Sequence, residues 1–294
     1  MKTIHIGVPS GIGDISWIIS KLINAPDCKF VVEVADGWPY RSEDYVKLLD
    51  PQKFEWGGYG GFEYRDIVGF EKLNPYNSFK DIVDAGFGRY LIQPNFHLER
   101  GKALAEWLPD LPTSYQYPLN TKEFAGTALA RIKHIPRPIL GLSAASYRGA
   151  VAWKTWERDQ WKELIARVLK NTNMQVLLMG GGWDDLTRSL ENIHPRVFSM
   201  VGQTSFGEAV EIHKSLSGYL GFSSGLGIIR TVLGLPTYML WPDHQQALST
   251  SWADPQMISE GSYIATSYMD VMGVWNVLKG QIVKYHSNCG GEHV

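Results

Sequence analysis

The sequence is short of the residues that mark several common chemistries. Its 294 residues include two cysteines, Cys28 and Cys289, near opposite ends and at no ligand spacing, so it carries neither a disulfide framework nor a Cys-x-x-Cys motif. The eight histidines are scattered, none paired at metal-ligand spacing, and the expectation is that no metal is bound. No Gly-x-x-x-x-Gly-Lys-Ser/Thr loop occurs, which argues against a P-loop nucleotide hydrolase. Asp-x-Asp is absent as well, so a leaving diphosphate would have to be neutralised by side chains and helix ends. Charge of one sign is also lacking: the net charge of -2 points to no polyanion or membrane surface. No apolar run approaches a membrane span, and Gly7, Pro9 and Gly11 interrupt the start of the chain where a leader would need one. These absences lead to the expectation of a cytoplasmic protein in a reducing compartment, without integral membrane association.

What is present fits a globular α/β protein. Hydrophobic residues make up 44% and charged residues 20%, and 294 residues suffice for two domains. Residues 3–8 alternate as a strand, and after Ser10-Gly11-Ile12-Gly13 the residues Ile15, Ile18, Ile19 and Leu22 share a helical face. Phe30–Val34 predicts a second strand, and Ser42–Leu49 a helix behind a Ser42 cap. The Gly- and aromatic-rich stretch 54–87 reads as irregular, loosest at Gly57–Gly61, with a short strand at Asp66–Phe70. Arg89–Gln93 predicts a strand and His97–Leu108 a helix ending before Pro109.

Beyond the linker-like Ile135-Pro136-Arg137-Pro138 the pattern is more regular. Strands at 139–142, 175–179, 197–201, 218–222 and 237–240 alternate with helices at 157–169, 184–192, 206–215 and 226–233, implying a parallel sheet covered on both faces. A last helix through Val271, Val274, Trp275 and Leu278 is expected to end at Gly280, ahead of a tail with little to bury. The domains expected are 1–135, 136–270, and a helix and tail at 271–294.

Four stretches carry candidate chemistry. Gly11-Ile12-Gly13-Asp14 opens a helix, but a carboxylate there repels a phosphate, so Asp14 is either a general base or a helix cap. Ser143-Ala144-Ala145-Ser146 and, further on, Lys154 follow the first strand of the second half, where hydroxyls and a cation suit a diphosphate. Gly180-Gly181-Gly182-Trp183-Asp184-Asp185 offers close backbone approach and an acid for ribose hydroxyls, or a cap at Asp184. Finally, Gly221-Phe222-Ser223-Ser224-Gly225 is a small polar turn into a helix, suited to a diphosphate or simply to a tight fit.

The order of these pieces, with Val201-Gly202-Gln203-Thr204-Ser205-Phe206-Gly207-Glu208 between the last two, resembles glycosyltransferase family nine, the ADP-heptose heptosyltransferases of the GT-B fold. The resemblance covers the first 25 residues and residues 139–241. It implies two Rossmann-like domains with parallel sheets facing across a cleft, and an inverting, metal-independent transfer from a nucleotide sugar with no further cofactor. It makes Asp14 the base that deprotonates the acceptor hydroxyl. The ligand-binding set is then Gly13, Ser143, Ser146, Lys154, Gly181, Asp185, Ser223, Ser224 and Gly225. Where the family reads Asp-Thr-Gly followed by His, this chain has Ser223-Ser224-Gly225 and Ile228. The acceptor expected is a surface or lipid-linked saccharide, or a hydroxymethylated DNA base. The alternatives are a non-catalytic nucleotide-sugar-binding module and a GT-B sugar-nucleotide epimerase.

Overall fold

A computed structural model describes residues 1–9, 11–36, 41–63, 78–84, 89–91, 102–144, 156–241, 246–267 and 270–288. The chain forms two compact units, Met1–Thr121 with Ala247–Asp254, and Lys122–Gln246 with Pro255–Val294.

In the first unit, β1 (Lys2–Val8), β2 (Cys28–Asp36), β3 (Phe54–Glu63) and β4 (Arg89–Leu91) form a parallel sheet in the order β3-β2-β1-β4. The alternation read from the sequence is the buried set of this sheet: Ile4, Ile6 and Val8 on β1, Phe30, Val32 and Val34 on β2. Between strands run α1 (Ile12–Leu22), α2 (Ser42–Lys47) and α3 (Phe79–Asp84). Ser42 is the first helical residue rather than the cap, which is Arg41.

The stretch expected to be loosest, Gly57–Gly61, is part of a continuous strand. Val32 pairs with Trp56 and Glu33 with Gly58, so Gly57 is the extra residue of a bulge. A Cβ on Gly57 would lie 2.6 Å from Val31 Cγ1 and 2.8 Å from Glu33 Cγ, and Gly58 sits at φ +96°. The glycines therefore permit close approach within a bulged strand, a use that composition does not separate from a loop. The strand expected at Asp66–Phe70 lies outside the described residues.

The helix expected at His97–Leu108 is also absent from its described part, where only a 3₁₀ turn forms at Leu104–Glu106. The cause is Lys21, at the end of α1 and 0% exposed. Its Nζ donates to the carbonyls of Ala105 (2.9 Å), Leu108 (3.4 Å) and Leu111 (3.0 Å), with Leu108 held at φ +48°. Carbonyls gathered around one ammonium are not aligned for a helix. Burial pulls the Lys21 pKa down to about 8, opposed by Asp110.

The second unit contains α4 (Ala125–Ile132), β5 (Ile139–Ser143), α5 (Arg158–Asn171), β6 (Gln175–Leu178), α6 (Asp185–Arg188), β7 (Val197–Ser199), α7 (Phe206–Lys214), β8 (Gly218–Phe222), α8 (Gly225–Val232) and β9 (Thr237–Trp241). The chain then passes through α9 (Gln246–Ser251), most of which belongs to the first unit, and returns with α10 (Pro255–Glu260) and β10 (Tyr263–Ser267), which completes a parallel sheet in the order β10-β9-β8-β5-β6-β7, and α11 (Val271–Asn288) closes the unit. Both faces are covered, as the near-continuous apolar strands predict. Leu140, Leu142, Leu220 and Phe222 pack with Trp161, Leu164 and Val168 of α5 and with α11. Ile139, Leu177 and Met179 pack with Ile132 of α4 and with Ile212 of α7.

Two helices differ most from expectation in their extent. Of the helix expected at 184–192 only Asp185–Arg188 is α-helical. The last helix runs through Gly280 to Asn288. A Cβ at Gly280 would meet nothing within 4 Å, and Ile282 beyond it is buried in the core. Burying that isoleucine offsets the ~1 kcal/mol cost of an internal glycine.

Replacing Lys21 by Met removes the donor and leaves three carbonyls facing an apolar chain. Lys21→Met should lower the unfolding free energy by about 3 kcal/mol, read by urea denaturation at pH 7; an unchanged midpoint would show that the 104–111 loop holds itself.

Candidate functional site

In an open parallel sheet, ligands bind beyond the carboxyl ends of the strands where the strand order reverses. In the first unit the chain proceeds outward through β1, β2 and β3 and then places β4 on the other side of β1, so the reversal lies between β1 and β4. In the second it goes through β5, β6 and β7 and returns to β8, so the reversal lies between β5 and β8. Three of the four stretches that the sequence marks follow β1, β5 and β8, and the fourth follows β6.

Asp14 is the third residue of α1, half-buried, while Gly11 is the cap residue and makes no side-chain capping bond. A Cβ on Gly11 would lie 2.6 Å from Asp14 Oδ2, so the carboxylate folds back over the glycine at the positive end of the helix dipole. Gly13, beside it, is half-buried in the same turn. Behind this turn a cluster of hydroxyls fixes α1. Ser16 Oγ lies 2.9 Å from Tyr45 OH, the two phenols of Tyr45 and Tyr117 are 2.5 Å apart, and Tyr117 OH donates to the Ser16 carbonyl at 3.1 Å. Burial pushes the Tyr45 pKa up to about 12 and raises that of Tyr117.

In the second unit Ser143 ends β5, pairs in register with Gly221 of β8, and donates its hydroxyl proton to the Met179 carbonyl at 2.5 Å. Ser146 and Lys154 lie outside the described residues. Ser223 is buried, and Ser224 is the cap residue of α8 yet makes no side-chain capping bond. A capping serine ordinarily accepts from a first-turn N–H; here Ser224 does not, and the α8 N-terminus with Gly225 keeps its anion-binding character. Ile228, where the resemblance expects His, is buried.

The three glycines after β6 have internal neighbours. Cβ atoms on Gly180 and Gly181 would lie 2.6 Å from Asp184 Oδ2 and 2.4 Å from Trp183 Nε1, and Gly182 packs on Gly202, itself at φ +70°. Asp184 caps α6, accepting from Thr187 N at 3.0 Å and from Thr187 Oγ1 at 2.6 Å, and Thr187 Oγ1 accepts from Ala144 N at 2.9 Å. Of the two acids Asp184 is therefore the structural one, and Asp185 is exposed. Sequence reasoning missed Tyr219. It is fully buried on β8, close to Ser143 and Ser224, and burial raises its pKa to about 12 against the effect of those hydroxyls. Among the described residues no cluster of three or more His, Cys, Asp or Glu is placed to hold a metal, and no helix is long and apolar enough to cross a membrane.

The family model described as glycosyltransferase family 9 (heptosyltransferase) matches residues 89–268. This chain belongs to glycosyltransferase family 9. It is accordingly a nucleotide-sugar-dependent glycosyltransferase, and its two parallel-sheet units are those of the GT-B fold. The structure of ADP-heptose lps heptosyltransferase II from E. coli matches with a TM-score of 0.60 and 16% identity, over 97% of this chain and 100% of that one. A family 9 glycosyl transferase from Veillonella parvula matches with a TM-score of 0.60 and 12% identity, over 95% and 89%. A UDP-GlcNAc 2-epimerase from Methanocaldococcus jannaschii matches with a TM-score of 0.50 and 10% identity, over 95% and 92%. No curated protein sequence matches the chain.

The Asp184 cap predicts a pH dependence. Burial raises its pKa from 3.8 to about 6, so between those values the folded protein keeps a proton that the unfolded chain has lost, and stability falls as pH rises through this window. Asp184→Asn removes the effect. Relative to the variant, wild type should lose ~2–3 kcal/mol between pH 4 and pH 7 in urea titrations. A constant difference across that range would mean that Asp184 is ionised throughout.

Proposed function

We propose that this family 9 enzyme is an inverting, metal-independent transferase that moves a sugar from a nucleoside-diphosphate sugar to a hydroxyl of a saccharide acceptor. The observation that carries this reading is the Ser224 cap without a capping bond, at the strand-order reversal of the second unit. That turn presents backbone N–H groups and a hydroxyl to a diphosphate, and Lys154 and Gly225 belong to the same set. Asp185, rather than Asp184, is the acid for the ribose, beside Gly181; Ser143 and Ser223 line the turn, and the family resemblance adds Ser146 to the donor set. Asp14 takes the proton as the acceptor oxygen attacks the anomeric carbon, with Gly13 giving room at the helix end. The donor to try first is an ADP-sugar, since the E. coli relative is called an ADP-heptose heptosyltransferase.

The hydroxymethylated DNA base expected as one acceptor finds no support in the relatives, which point to saccharides. The likeness to an epimerase extends to the fold alone at 10% identity.

The proposal is tested by Asp14→Asn. Binding of ADP, followed by calorimetry, should stay within about twofold of wild type, and transfer should fall by roughly 10²- to 10⁴-fold. Addition of a chelator should leave wild-type turnover unchanged. Full turnover in the variant would remove Asp14 from the mechanism, and loss of activity with chelator would remove the metal-independent reading.

A further inference from the structure

Three glycines border one tyrosine, two of them lying closer still to Leu216 and Met239. A Cβ on Gly141 of β5 would lie 3.2 Å from Tyr219 Cδ2, one on Gly227 of α8 would lie 3.3 Å from its Cε1, and one on Gly221 would lie 2.9 Å from its hydroxyl. The ring thus runs along the sheet from the level of Gly141 to that of Gly221 and the first turn of α8. On its other side the ring of His213 packs at 4.9 Å between centroids. That imidazole is neutral, its pKa pulled down to about 3 by burial and by Arg230.

The Tyr219 hydroxyl is completely buried and has no hydrogen-bond partner. Buried polar groups in this condition are few and need a reason. The nearby hydroxyls of Ser143 and Ser224 act on it and oppose the rise in its pKa. The Ser143 proton is already donated to the Met179 carbonyl. Ser224 makes no capping bond at the α8 N-terminus.

We propose that Tyr219 is a positioning residue of the donor site: when a diphosphate binds, the phenol O–H donates to Ser224 Oγ and turns the Ser224 O–H toward a phosphate oxygen. No proton changes owner; Tyr219 donates to Ser224, Ser224 to phosphate, and Ser143 still to Met179. The raised pKa of the phenol keeps it a donor at neutral pH. This inference rests on the donor-turn reading above, and the experiment separates the two.

Calorimetric titrations with ADP, UDP, GDP, CDP and inorganic pyrophosphate, paired with thermal melts, are made on wild type, Tyr219→Phe, Ser224→Ala and the double variant. The nucleotide that binds wild type should bind each single variant about tenfold more weakly and the double variant no more weakly than Ser224→Ala alone. Tyr219→Phe should melt at or above the wild-type temperature, because it removes a hydroxyl that bonds to nothing in the unliganded protein. A lower melting temperature or failure to fold would make Tyr219 merely structural and overturn the proposal. So would wild-type affinity in Tyr219→Phe, or independent losses in the double variant; in both cases the donor turn stands. Wild-type affinity in Ser224→Ala, or no binding of any probe to wild type, overturns the donor turn and the proposal with it.

Discussion

The geometry of the turn into α8 depends on a buried cation some way behind it. Arg230 is fully buried near the end of α8 and donates to the carbonyls of His213, Leu216 (2.9 Å) and Pro236 (2.7 Å). Two of these carbonyls lie at the C-terminal end of α7, where the helix dipole is negative, and the third immediately precedes β9. Burying a guanidinium costs several kcal/mol unless its hydrogen bonds are met, and here the main chain of two neighbouring elements meets them. One side chain therefore ties α7, α8 and β9 together. Because α8 is a rigid rod of eight residues, ~12 Å long, fixing its C-terminal end also fixes the direction of its N-terminus. An anion site built from such a helix end is preorganised, which is the condition under which aimed dipoles stabilise a leaving diphosphate best.

The parallel sheet of the second unit was legible because its period and its packing agree. Strands such as Ile139–Leu142 and Gly218–Phe222 are apolar along their length because both faces are covered, and the stripe of Trp161, Leu164 and Val168 has one place to go. The first unit was less legible where glycine and lysine act over long range. Gly57 in a bulge looks like Gly57 in a loop until β2 is laid beside it, and nothing local to residues 104–111 announces that Lys21, some eighty residues earlier, will collect their carbonyls. The 3₁₀ turn there is a tertiary effect.

The place of the candidate residues in the fold was legible, and their surroundings were less so. Asp14 and Ser224 each follow a strand at the reversal of their sheet, and that placement follows from strand–turn–helix order alone. The glycines misled more than the polar residues did. A run such as Gly180-Gly181-Gly182 suggests backbone open to a ligand, whereas its neighbours are the Asp184 carboxylate, the Trp183 indole and Gly202. Conversely, Gly141, Gly221 and Gly227 form no motif, yet each of them borders Tyr219. Period-2 reasoning places Tyr219 in the core; only the geometry shows that its polar end reaches the turn.

The two units use the same local architecture with opposite electrostatics. In the first, the helix after β1 carries its own carboxylate at the N-terminal turn, so the dipole is already matched and a phosphate there would face Asp14. The Ser16, Tyr45 and Tyr117 hydroxyls hold that turn from behind without adding charge. In the second, the helix after β8 has no acid in its first turn, and the residues that replace the family's acid and histidine, Ser223 and Ile228, are buried and uncharged. Its dipole is thus left for a ligand's charge. One helix end carries its own carboxylate and the other leaves its dipole to a ligand, and the difference between them comes down to that single carboxylate.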